Sequence, residues 1–271
     1  MIARGDYVLG THEEEALRLG IQHRVWRETM LGAWRRAGIQ PGWRVVDVGA
    51  GPGFATMDLA DLVGAAGEVL AVERSERFIA LIREETRRRQ LEQVRPLEAD
   101  LMEAPACANA YDMTWCRWVA SFVSSVPRLV QWIHQTLRPG GMAVFHEYSD
   151  YGSWQFSPAR PHLAQFVAAT MENWRAAGGE PNVAPALIEA LGASGFGLRS
   201  VRPLVFATRP AEMIWKWPAG FVRTHSARLH ELGRVSEQWG GEVERELCEA
   251  ETDPVSVMVT PLVLEVIAER F

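Results

Sequence analysis

The chain has 271 residues, 48% of them hydrophobic and 23% charged, with a formal net charge of −6. That is enough apolar material for a buried core, and it excludes a chain that is disordered on a large scale. The acidic balance and the lack of any extended basic block argue against a dedicated nucleic-acid binder.

Cys107, Cys116 and Cys248 are widely spaced and lie outside any CxxC pattern, which fits a reducing compartment without a disulfide framework or a zinc site. The opening "MIARGDYVLGTHEEEALRLG" has no apolar signal core, and no apolar run is long enough to span a bilayer. A cytoplasmic location with no membrane partner is therefore expected. The cations are nearly all arginine, Lys216 being the single lysine, and base composition explains that bias without a functional role.

Thr11 and Glu14 have the spacing of a capping box, and Leu17, Ile21 and Val25 recur behind them. An amphipathic helix is expected from about Thr11, with a second helical segment running to Gly38. "QPGW" breaks the chain, and "RVVDVGAG" reads as a short buried strand ending in a glycine turn. "FATMDLADLVG" follows as a helix, "EVLAVERS" as a strand and "SERFIALIREETRRRQL" as a helix capped by Ser75. The basic run Arg87–Arg89 follows Glu84 and Glu85 and reads as a solvated, ion-paired face.

"VRPLEAD" and "YDMTWCRW" read as strands, "VPRLVQWIHQTLRPGG" as a helix stopped by Pro-Gly-Gly, and "MAVFHEYS" as the next strand. Strands alternating with helices through 38–150 predict an α/β fold: a mainly parallel sheet with helices on both faces. Beyond Asp150, "HLAQFVAATMENWRAAGG" and "APALIEALGASGF" are expected as helices and "LRSVRPLVFAT" as a strand. Residues 210–250 look helical, and "VSVMVTPLVLEVIAERF" reads as a strand. Three parts are expected: an N-terminal helical lid (1–37), an α/β core (38–150), and a remainder (151–271). The last completes the sheet and carries helical cap insertions at about 151–180 and 210–250.

The glycine loop separates ligand classes by its spacing. A dinucleotide fingerprint needs a third glycine where this chain has Phe54, and no Gly-Lys-Ser/Thr of a P-loop follows. What is present is Asp47 followed by Gly49, Gly51 and Gly53. "VVDVGAGPG" resembles the first motif of class I S-adenosylmethionine-dependent methyltransferases of the small-molecule type. The resemblance implies a Rossmann-like, seven-stranded, mainly parallel sheet and S-adenosylmethionine as cofactor.

It implies roles for further residues too. Glu73 ends the second strand 24 residues after Gly49, in place to accept the ribose hydroxyls, with Arg74 next to it. Asp100 and Leu101 end the third strand, where the family holds the adenine, and Cys116 ends the fourth, near the methionine part. In relatives whose first helix lies over the cofactor, positions like Tyr7, Arg18 and Gln22 reach the methionine carboxylate or close the pocket. The residues by themselves leave open a surface ion pair for Arg18 and a solvated Gln22.

The chemistry implied is methyl transfer to oxygen or nitrogen of a small molecule by in-line displacement. The alternative is a protein that keeps the cofactor fold for binding or regulation without transfer; a nicotinamide oxidoreductase is disfavoured by Phe54. Candidates for a general base lie in "FHEYSDY": His146, Glu147, Tyr148, Asp150 and Tyr151. Strand alternation sends His146 and Glu147 to opposite faces, so at most one faces the site. His146 has the better unperturbed pKa, but a histidine packed under the cap is the other reading, and no base is assigned.

No metal is expected, because "WCRWVASF" lacks the carboxylate that metal-dependent catechol-type members carry after the fourth strand. His225 and His230 read as surface residues. Trp154, Trp174, Trp215 and Trp217 fall in the cap segments, either lining a pocket for an aromatic or apolar substrate or anchoring the cap. If "IWKWP" is extended, Trp215 and Trp217 share one face. The oligomeric state is open.

Overall fold

A computed structural model describes residues 13–271. Tyr7 and the Thr11 cap lie outside the described residues. The first element, α1 (Glu13–Ala37), is one continuous helix rather than two segments. Trp26, Met30, Ala33 and Trp34 keep one apolar stripe fully buried along it, so nothing in the packing calls for a break. Gly38, at φ +83°, ends it in the left-handed conformation that terminates many helices.

The core follows as β1 (Arg44–Val48), α2 (Phe54–Val63), β2 (Glu68–Glu73), α3 (Glu76–Arg89), β3 (Val94–Glu98), β4 (Tyr111–Arg117), α4 (Val126–Thr136) and β5 (Leu137–Asp150). Ser75 caps α3 as expected, its hydroxyl accepting from Phe78 N. α4 stops before "LRPGG", not at it: Leu137 turns extended and pairs with Tyr111, so these residues open β5.

The remainder supplies β6 (Gln155–Ser157), α5 (Pro161–Ala176), α6 (Ala184–Ala193), β7 (Phe196–Leu204), β8 (Ala207–Thr208), α7 (Lys216–Glu231), α8 (Glu237–Thr252), β9 (Val257–Val259) and β10 (Leu262–Arg270). The last segment is thus two strands, not one, and they serve two sheets. Pro261 separates them, since it has no N–H to give to a ladder.

The main sheet has seven strands in the order β3-β2-β1-β4-β5-β10-β7. β3, β2, β1, β4 and β5 are parallel neighbours, and β10 runs antiparallel between β5 and β7. The sheet is therefore the mainly parallel one expected, with helices on both faces. Alternate strand residues feed two cores: Val45, Met113 and Val144 pack with α1, α2 and α3, while Val46, Cys116 and Phe145 pack with α4 and α6. A third cluster, rich in tryptophan, joins α5, α7 and α8 to the small sheet β6-β9-β8 and forms a helical cap. β1 lies between β2 and β4, which puts the topological switch point, and hence the crevice at the carboxyl ends of the strands, beside the glycine loop.

α1 is pinned to the sheet at its far end. The Arg36 guanidinium donates to both oxygens of Glu265 at 2.9 and 2.6 Å, and Glu265, on β10, is fully buried. Burial alone would raise the Glu265 pKa, but His146 and Arg36 outweigh it and hold the carboxyl down to about 2. Arg36→Met leaves a buried carboxylate without its half-exposed cation and is expected to cost about 1–3 kcal/mol in urea unfolding at neutral pH, less than a fully buried pair because solvent screens the open side. The wild-type contribution is complete above the ordinary value of 4.5 and is lost as the pH falls toward about 2. The stability gap between the two proteins should therefore narrow as the pH falls through that window; a gap independent of pH would contradict this account.

Candidate functional site

β1 ends at Val48 and the chain turns through Gly49, Gly51 and Gly53, all at positive φ (66°, 54° and 87°), before α2 begins. A Cβ on Gly53 would sit 2.6 Å from Ile82 Cγ1, so this glycine lets the loop pack on α3. A Cβ on Gly51 would meet nothing within 4 Å, because that backbone faces open space. The space is a cavity of about 720 Å³, a size suited to a nucleotide-sized ligand.

The cavity gathers most of the residues singled out from the sequence. Asp47, Gly49, Gly51, Glu73, Arg74, Asp100, Leu101 and Gln22 all line it, as does Phe54 in the third-glycine position. Glu73 holds the loop in shape: its Oε2 accepts from Gly51 N and its Oε1 from Ser75 N, both at 2.9 Å. Asp100 Oδ1 accepts from Met102 N at 2.8 Å. Asp47 is buried, accepts the Thr56 hydroxyl at 2.6 Å, and is pushed up to about 6 by desolvation.

Gly53 lies behind the loop rather than in the cavity wall, and Cys116 is outside it as well. The Cys116 side chain is fully buried 3.9 Å from Glu147 Oε1, and burial pushes its thiol well up. Tyr7 falls outside the described residues. Arg18 is not the surface ion pair that was one of its readings. It is buried, its guanidinium donates to Glu15 at 2.8 and 2.6 Å, and it faces a second pocket. Gln22 is not solvated: its Oε1 accepts from Arg18 Nη1 and from Trp217 Nε1, both at 3.0 Å.

Of the five candidate bases, Tyr148 and Tyr151 line the second pocket, while His146, Glu147 and Asp150 line neither. His146 is fully buried between Trp115 and Trp26, with ring centroids 4.8 and 5.9 Å away, and desolvation pulls it down to about 4. Glu147 points to the opposite face, as strand alternation requires, and is fully buried too. Its Oε1 accepts from Val119 N at 2.8 Å and Ala120 N at 2.9 Å, and its Oε2 from the Ser121 hydroxyl at 3.0 Å. Burial raises it to about 7 against those three donors. It is a strut for the turn after β4. His225 is also not a surface residue: it is buried against Phe221, 4.8 Å ring to ring, and pulled down to about 4 by desolvation. His230 is exposed, as expected.

The turn after β4 carries the feature that sequence reasoning missed. Trp118, at φ +52°, stacks between Tyr148 and Trp217 at centroid distances of 5.4 and 5.6 Å, and Trp26 meets it edge-on at 5.2 Å. On its far side is a second, narrow pocket of about 50 Å³, walled by Tyr148, Tyr151, Trp154, Trp174 and Trp217. Leu19, Gln22, Trp118 and Phe122 belong to both walls. "IWKWP" is not extended: it is a 3-10 turn running into α7, so Trp217 reaches the pocket while Trp215 turns away and donates to Glu251 at 3.2 Å. Arg117, part-buried in the wall of the larger cavity, belongs to no sequence motif that would mark it.

Among the described residues no cluster of His, Cys, Asp and Glu is placed to hold a metal ion, and no helix is long and apolar enough to cross a membrane.

A glycine loop at the switch point, with an acidic residue ending each of the next two strands' turns, defines the class: a Rossmann-like fold with a nucleoside cavity. Residues 45–141 match the family described as "Methyltransferase domain". Demethylmenaquinone methyltransferases of Staphylococcus aureus (strains MRSA252 and Newman) are 30% identical over 128 residues, which is 47% of this chain and 51% of theirs. The chain thus matches about half the length of these relatives.

Among solved structures, geranyl diphosphate C-methyltransferase of Streptomyces coelicolor A3(2) has 13% identity and a TM-score of 0.59, covering 92% of this chain and 77% of that one. The [4+2]-cyclase SpnF has 18% identity and a TM-score of 0.57, covering 90% and 80%. These two likenesses concern the fold. Over residues 45–141 the fold and the glycine-loop motif resemble the class I S-adenosylmethionine-dependent methyltransferase family.

The cavity fits that family's cofactor, S-adenosylmethionine, on two observations. The Gly51 backbone is bare toward the space, and Glu73 and Asp100 stand in the wall beside the apolar Val72, Phe78 and Leu101. Glu73→Ala removes the acceptor of two loop N–H groups, and Gly51→Val forces a β-branched side chain into a left-handed position. Each is expected to weaken S-adenosylhomocysteine binding at least about ten-fold by calorimetry. Unchanged affinity in both would refute this placement of the loop.

Proposed function

We propose that the chain transfers a methyl group from S-adenosylmethionine to oxygen or nitrogen of a small acceptor with an aromatic or flat apolar body. The observation that carries this is the shared wall: Leu19, Gln22, Trp118 and Phe122 line both the larger cavity and the aromatic pocket. An acceptor held among the tryptophans is thereby next to the donor cavity. When bound, the cofactor supplies a methyl group already activated on a sulfonium.

The chain's own residues would bind and align. Glu73, Arg74, Asp100, Leu101 and the glycine loop would hold the nucleoside, with Asp47 and Gln22 toward the amino-acid end. α1 would act as the lid, with α5, α7 and α8 as a cap that excludes water. Alignment of this kind is worth about 7–11 kcal/mol in favourable cases. The ionisable groups on the aromatic pocket's described wall are Arg18, Tyr148 and Tyr151, and burial keeps the Tyr151 phenol protonated. With no carboxylate or imidazole on that described wall, an acceptor that brings its own free lone pair suits the site best.

A second reading is a protein that binds the cofactor without transferring its methyl; the fold likeness to a cyclase favours keeping it in view. Methyl-labelled cofactor incubated with planar phenols, indoles and aryl amines separates the two. Labelled product supports transfer, and tight S-adenosylhomocysteine binding with no labelled product supports the second reading. Trp174 lines only the aromatic pocket. Trp174→Leu is expected to raise the acceptor KM by up to about ten-fold, as loss of aromatic contact predicts, with S-adenosylhomocysteine affinity little changed. A loss confined to donor affinity would place the acceptor elsewhere.

A further inference from the structure

Arg117 ends β4 in the wall of the larger cavity, and its contacts among the described residues include no anion. Its guanidinium lies 3.8 Å from Met30 Sδ, 5.2 Å from the Trp118 ring and 5.9 Å from the Trp115 ring. Burial pulls its pKa down to about 10, which leaves it charged at neutral pH. A part-buried cation costs free energy unless something negative compensates it. Arg74 and Arg128 also line the cavity, but both are exposed, so water solvates them. Arg18, the arginine that the family resemblance brought forward, is engaged with Glu15 at the other pocket.

The neighbouring strand supplies the complementary charge. Asp47 on β1 pairs in register with Trp115 on β4, lines the same cavity, and among the described residues takes its hydrogen bonds from Thr56, from the hydroxyl and from the backbone. Asp47 and Arg117 attract each other through the cavity wall without forming an ion pair. One fixed cation and one fixed carboxylate that do not neutralise each other, side by side at the glycine loop, are complementary to a zwitterion. An α-amino acid group is such a ligand. Resting on the donor-cavity reading above, we propose that Arg117 binds the α-carboxylate at the amino-acid end of the cofactor, with Asp47 toward the ammonium. The planar guanidinium can give two parallel N–H donors to a carboxylate, which a lysine cannot.

Calorimetry with three ligands tests this: S-adenosylhomocysteine, its decarboxylated form S-adenosyl-thiopropylamine, and methylthioadenosine, which lacks the whole amino-acid end. Wild type should prefer S-adenosylhomocysteine to the decarboxylated form by about 10- to 100-fold, the range of a charged hydrogen-bonded pair. Arg117→Met should bring those two affinities together by weakening S-adenosylhomocysteine alone, with methylthioadenosine unchanged. Arg117→Lys should keep part of the preference, which also separates a charge effect from a folding defect.

A wild type that does not discriminate, or an Arg117→Met that weakens all three ligands equally, overturns the proposal. So does an Arg117→Met that keeps the preference but loses binding of benzoate to the S-adenosylhomocysteine-loaded protein, which would assign the cation to the acceptor. Failure of wild type to bind any of the three adenosyl ligands would instead strike the donor-cavity reading itself.

Discussion

The Glu147 carboxylate, fully buried on β5, collects two backbone N–H groups and a hydroxyl from the turn that follows β4. Without such an acceptor those donors would lose a charged partner in a largely buried turn, at about 1–3 kcal/mol each. The turn they shape is the partition of the whole site. Its first residue, Trp118, holds a left-handed backbone conformation that a bulky side chain rarely adopts, and surroundings must hold it there. Its second, Val119, presses so close to Gly49 that no Cβ fits between them. One buried carboxylate therefore sets both the shape of the glycine loop's neighbour and the aromatic wall beyond it.

The residue before it serves the opposite face. His146 sits under α1 against Trp26 and Trp115, and its register partner on β10 is Glu265, the acceptor of Arg36. Two adjacent polar residues on one strand thus anchor different layers: His146 belongs to the attachment of α1, Glu147 to the turn after β4. This explains why the most reactive-looking stretch of the chain, "FHEYSDY", supplies fasteners and two tyrosine walls. The polar groups that face the larger cavity come instead from the loop, the strand-end carboxylates and Arg117.

Much of this was legible in the residues. Near-continuous apolar runs such as Val45–Val48, followed by glycines, identify buried parallel strands, and the acidic residues at Glu73 and Asp100 fall where those strands stop. The errors cluster where tertiary contacts override local pattern. "LRPGG" pairs with Tyr111 instead of finishing a helix, and "IWKWP" winds into α7 because both tryptophans find apolar neighbours on different sides. His225 reads as surface from its spacing, but it is covered by Phe166 and Phe221, and Phe166 comes from a helix some sixty residues earlier. Arg117 and Trp118 carry no motif; only the sheet order, which sets β4 beside β1, shows that they stand at the cavity.

Gln22 stands in the walls of both pockets. Its single carbonyl oxygen accepts from Arg18 and from Trp217. A ligand that shifts that amide in one pocket changes the free energy of filling the other, and reciprocity makes the effect equal in both directions. With donor and acceptor bound as proposed, affinity for either would be a property of the pair: the order of arrival would alter the path, and the energy of the ternary complex would stay the same.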